Sequence, residues 1–77
     1  MTNVKIKFHS VEEIEEFVNH ANTVTNEMDL CSGSRMVDAK SLLGVLAMGI
    51  DKVLELHFHG EMPSEFGKIL RCMSIAC

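Results

Sequence analysis

A chain of 77 residues has room for one domain with one core, and on folding so short a chain buries only about 60% of its unfolded surface. Its net charge of −4, with no Trp or Tyr for base stacking, leaves no cationic surface for nucleic acid. A 47% hydrophobic and 23% charged composition fits a globular protein, and the apolar run 42–50 falls far short of the ~20 residues of a membrane span.

The amino end alternates instead of joining a charged start to an apolar block, so no signal peptide is expected and the expected compartment is the cytoplasm. Cys31, Cys72 and Cys77 are odd in number and lack paired spacing, which reads as reduced thiols.

Val4 to Phe8 alternates strictly and predicts a strand with Val4, Ile6 and Phe8 inward. Ser10-Val11-Glu12-Glu13 matches a capping box, in which the Ser10 hydroxyl accepts from the Glu13 amide and Glu13 reaches back. Ile14, Phe17, Val18 and Ala21 follow at helical spacing, so a first helix is expected over Val11–Thr23. Glu12, Glu15, Glu16 and Asn19 lie on its outer face. Glu27 to Cys31 alternates, with Met28 and Leu30 on one face. Ser32-Gly33-Ser34 is hairpin-turn chemistry, and Arg35 to Ala39 returns as a third strand.

Ser41 caps a short second helix that Gly49 stops, with Val45 and Ile50 expected to point inward. Lys52 to His59 alternates, sending Leu54, Leu56 and Phe58 one way and Val53, Glu55, His57 and His59 the other. Gly60 to Pro63 breaks the pattern. Phe66, Ile69, Leu70, Met73 and Cys77 then form the apolar stripe of a last helix. The order is β-α-β-β-α-β-α. Each strand alternates, so the sheet has one buried and one exposed face, and all three helices cover the same side. The expected fold is a two-layer α/β sandwich of the α+β class.

Lys40-Ser41-Leu42-Leu43-Gly44-Val45-Leu46-Ala47-Met48-Gly49-Ile50, with this element order, resembles the bacterial phosphocarrier protein HPr, the histidine-phosphorylated relay of the sugar phosphotransferase system. Lys40-Ser41, Gly44 and Gly49-Ile50 correspond to that family's Lys-Ser, Gly and Gly-Ile. The resemblance covers nearly the whole chain, residues 1–77 as a single HPr-like domain. It implies a four-stranded antiparallel sheet in the order 1-4-2-3.

Counting back from Ser41 without gaps puts Ser10-Val11-Glu12-Glu13 where the family carries its active histidine followed by Ala-Arg-Pro. Ser10 thus stands at the histidine position and Glu12 at the arginine position. A helix start attracts an anion through its free amides and dipole, but here Glu12, Glu13, Glu15 and Glu16 already bring negative charge. A phosphoryl group carrying nearly two more charges is repelled. His9, one place earlier, is the alternative phosphoryl site; no arginine follows it, and alternation places it beside Lys5 and Lys7 on the exposed sheet face.

Ser41 matches the serine that a dedicated kinase modifies in some members of the family, which implies regulatory phosphorylation there beside its capping role. Leu42, Leu43 and Leu46 correspond to an apolar docking patch next to that serine. His57 and His59 share a strand face, and the implied strand order sets His9 and Cys31 on neighbouring strands. Those four donors suit zinc chemically, but no Cys-x-x-Cys or His-x-x-x-His spacing supports it, so no metal and no cofactor is expected.

There is no nucleophile–base pairing and no glycine-rich phosphate loop, so no enzyme is expected. The chain reads as a regulatory or binding module whose partner is a protein: a regulator, a kinase or a transport-system component. The alternatives are a phosphocarrier using His9, and a structural or oligomeric module using the open sheet face.

Overall fold

Seven elements follow one another in a computed structural model that describes residues 2–72. They are β1 (Thr2–Lys7), α1 (Val11–Ala21), β2 (Met28–Ser32), β3 (Arg35–Asp38), α2 (Leu42–Met48), β4 (Val53–Phe58) and α3 (Ser64–Cys72). The strands form one antiparallel sheet in the order β1-β4-β2-β3. The expected two-layer α+β sandwich is the fold observed. Met73 and Cys77, which the sequence pattern adds to the last helix, lie outside the described residues.

Register explains the two faces. Ile6 pairs with Leu54, and Leu30 with Leu56, so the apolar alternates of three strands stack on one side. All four are at most 1% exposed. The helices close that side with Ile14, Phe17, Val18 and Ala21 from α1, Val45 and Met48 from α2, and Phe66 and Leu70 from α3. Phe17 is the hub, its ring 5.2 Å from Phe8 in an edge-to-face contact and 6.1 Å from Phe66. Such pairs add about 0.5–1.5 kcal/mol beyond area burial. Among the described residues no polar or charged residue is buried, so the core rests on apolar packing alone.

Several boundaries differ from the sequence pattern by a residue or two. First, α1 stops at Ala21, not Thr23. The Asn22 side-chain amide donates to the Val18 carbonyl at 2.9 Å, and the Thr23 hydroxyl to the His20 carbonyl at 2.6 Å. These side-chain donors reinforce the closing backbone bonds from Asn22 to Val18 and, as a tighter i→i−3 turn, from Thr23 to His20, where the helix stops.

Second, β1 ends at Lys7. Phe8 leaves the ladder but stays buried, and its carbonyl accepts from the Asp51 amide at 2.7 Å. The second helix, α2, ends at Gly49 as expected, with φ 91°. That turn carries Ile50 off the helical stripe, so Ile50 is 41% exposed, not inward, and Met48 fills the inward place beside Val45.

Candidate functional site

The start of α1 is closed by its own side chains. Ser10 is extended (φ −156°, ψ 163°), and its hydroxyl accepts from the Glu13 amide at 3.2 Å. Glu13 reaches back, but not to the Ser10 amide as a simple capping box would have it: its carboxylate accepts from the His9 amide at 2.8 Å. The chain is therefore held on both sides of the cap. Glu12, at the position where the resemblance expects an arginine, is exposed to solvent.

His9 does not lie beside Lys5 and Lys7 on the sheet. The strand has ended, and the ring sits at the β1–α1 corner, Nδ1 3.7 Å from an Asp51 carboxylate oxygen. The Asp51–Phe8 backbone bond holds the α2–β4 loop against this corner, and Asp51 adopts φ 58°, a left-handed conformation that Asp tolerates better than most residues. Three carboxylates, those of Glu12, Glu13 and Asp51, thus flank the helix start and the imidazole. A dianion finds the His9 and Glu13 amides already engaged and its surroundings negative.

The start of α2 differs in charge. The Ser41 hydroxyl accepts from the Gly44 amide at 3.2 Å, its carbonyl accepts from Val45 at 2.9 Å, and the first turn holds no acidic residue. Gly44 fits closely against this cap. A Cβ there would stand 3.3 Å from the Ser41 hydroxyl oxygen and 3.3 Å from Val37 Cβ. Lys40 is anchored, its amide bonded to Asp38, its carbonyl to Asn22 and its ammonium to the Val24 carbonyl. Ser41 itself is exposed on this fixed segment.

The three leucines part company. Leu43 is 81% exposed, Leu42 39% exposed, and Leu46 is half-buried against the core. Exposed apolar surface also comes from Val11 and Ile50, which the sequence pattern did not single out. Ile50 was expected inward, and the turn at Gly49 carries it out instead.

On the open sheet face, Cys31 Sγ lies 3.7 Å from His57 Nδ1, whose other ring nitrogen is 2.6 Å from a Glu55 carboxylate oxygen. His59 Nε2 is 3.1 Å from Asp29. Partial burial pushes the Cys31 thiol pKa above its ordinary value, with the charges of Asp29 and Glu55 adding to the shift. His9 is remote from this group. It sits before β4 and His59 after it, and six strand residues at about 3.3 Å each hold them roughly 20 Å apart. The set of His9, Cys31, His57 and His59 cannot share one ion. Among the described residues no three His, Cys, Asp or Glu side chains converge as a metal site.

Comparison with solved structures settles the architecture. HPr-C-His from Thermoanaerobacter tengcongensis superposes with a TM-score of 0.76 at 22% identity, covering 95% of this chain and 90% of that one. The fold is HPr-like. Phosphocarrier protein HPr from Bacillus anthracis gives a TM-score of 0.73 at 16% identity, covering 94% of each chain. The Bacillus subtilis catabolite repression protein Crh, an intertwined swapped dimer, gives 0.65 at 23% identity, covering 88% of this chain and 80% of its own. No protein-family profile and no curated protein sequence matches the chain. Among the described residues no helix is long and apolar enough to cross a membrane.

Proposed function

We propose that this HPr-like chain is a regulatory binding module related to the phosphotransferase system, and neither an enzyme nor a histidine phosphocarrier. Residues 1–77 act as one domain, in a bacterial cytoplasm. Ser10 and Glu12 occupy the places of the family's working histidine and arginine, and the module acts through the face that carries Ser41, Leu42, Leu43 and Leu46. The reading rests chiefly on the α1 start, where Ser10 accepts from the Glu13 amide and Glu13 from the His9 amide while Glu12 and Asp51 surround the corner with negative charge.

The α2 surface supports the positive half of the proposal. An exposed serine next to an 81%-exposed leucine pairs a modifiable hydroxyl with apolar contact area. Phosphate on Ser41 adds close to two negative charges beside those leucines. That changes which protein surface the face fits, and a regulator or a transport-system component is the partner class in view.

The test exposes the chain separately to phosphoenolpyruvate with the first enzyme of the phosphotransferase system, and to ATP with a serine kinase of HPr. Intact mass and residue mapping are read after each. The expected result is no phosphohistidine and a stable phosphate on Ser41, with Leu43→Asp abolishing capture of the regulator while the melting curve stays unchanged. An acid-labile phosphate that disappears in His9→Ala overturns the proposal in favour of a carrier.

A further inference from the structure

We infer that the open sheet face carries a binding site for one soft monovalent metal ion, Cu(I), built from Cys31, Met36 and His57. Three strands supply the donors. Cys31 on β2 is the register partner of Met36 on β3, and directly opposed residues of an antiparallel pair project from the same face. The intervening pair Leu30–Val37 points into the core, which leaves Met36 on the outer side at 62% exposure. His57 on β4 completes the group from the other flank of β2, with its Nδ1 3.7 Å from Cys31 Sγ.

The imidazole is prepared for this role. Its Nε2 lies 2.6 Å from the Glu55 carboxylate, an acceptor for a proton on Nε2, and in that tautomer the Nδ1 lone pair faces the sulfur 3.7 Å away. A carboxylate behind a ligating histidine is the usual outer-shell arrangement of protein metal sites. The spacing also fits. With bonds of about 2.3 Å to sulfur and 2.0–2.1 Å to nitrogen, the 3.7 Å separation subtends about 115–120° at a metal ion, the angle of trigonal coordination.

The flexible thioether of Met36 is the third donor, its three rotatable bonds letting the sulfur swing over Cys31. Thiolate, thioether and imidazole together select a soft ion. A hard or borderline dication finds too few ligands, because Glu55 is engaged at His57 and no three His, Cys, Asp or Glu converge among the described residues. Binding exchanges one ion for one proton: the Cys31 S–H bond breaks, a sulfur–metal bond forms, and the proton leaves to solvent.

The experiment titrates the full chain, reduced and under argon, with Cu(I) against a chromophoric Cu(I) chelator. One ion per chain is expected, and the double variant Cys72→Ser/Cys77→Ser retains it. Glu55→Gln weakens binding by roughly 10–100-fold, the usual outer-shell effect, and Cys31→Ser or His57→Gln by more than that. Met36→Leu, at an exposed position that cannot unfold the protein, also lowers affinity, and Ag(I) shifts the Met36 methyl resonance of the wild-type chain. Stoichiometric Cu(I) surviving in Cys31→Ser, its loss in the double variant, or displacement by equimolar Zn(II) overturns the inference.

Discussion

Ser10→Ala tests whether the start of α1 is self-satisfied or open to an anion. The Ser10 hydroxyl holds the Glu13 amide at 3.2 Å, and a serine cap replaced by alanine costs about 1 kcal/mol, within a range of roughly 0.5–2. Stability of about 0.05–0.15 kcal/mol per residue gives roughly 4–12 kcal/mol for this chain, so a loss of about 1 kcal/mol is roughly a twelfth to a quarter of the total. For a domain of this size the unfolding midpoint falls by roughly 4–8 °C per kcal/mol.

Glu13→Gln keeps an acceptor oxygen but removes the charge on the 2.8 Å bond to the His9 amide, and in this exposed setting it costs about 0.5 kcal/mol. Both side chains fix one turn of backbone, so the double variant loses less than the sum of the single losses. Thermal unfolding followed by circular dichroism, with and without added phosphate, measures all three. An unchanged midpoint for Ser10→Ala, together with phosphate stabilisation of the wild-type chain, refutes the closed-site reasoning.

Phe17→Ala removes the ring that joins Phe8 to Phe66 and costs about 3–5 kcal/mol, visible as a large fall in the urea midpoint. Gly60→Ala, at φ +89° with its Cβ 2.9 Å from the Asn26 amide nitrogen, loses both backbone compatibility and the Asn26–His59 tie. About 1–3 kcal/mol is expected from calorimetry. Because the folded Cys31 thiol holds its proton more tightly than an ordinary one, its alkylation at neutral pH is slower than in the urea-unfolded chain. The same sign makes folding stability fall as pH climbs through the alkaline thiol range, which a pH series of unfolding curves measures.

The fold was largely legible because the strands are half-buried: strict alternation in Val53–Phe58 sets both its existence and its inward residues. Ser10 and Ser41 announced helix starts through a local hydrogen bond that sequence spacing encodes. What escaped the sequence depends on pairing. Nothing along the chain says that Asp51 comes to rest against His9, because that contact joins residues distant in sequence, whereas the tight turn that sets Met36 opposite Cys31 is local. The end of α1 was overrun for a related reason, since Asn22 and Thr23 have helix-compatible neighbours but spend their side chains on the preceding carbonyls.

The strand order has a kinetic meaning. β2 and β3 meet across the two-residue Gly33-Ser34 turn and form a hairpin on a microsecond scale, whereas β1 pairs only with β4, near the far end of the described chain. Closing that long loop precedes any reward from the contacts it makes. During synthesis, Ile6 must therefore wait for its partner Leu54 until the ribosome has released β4, and this delay is when the chain is most exposed to mispairing and to chaperones.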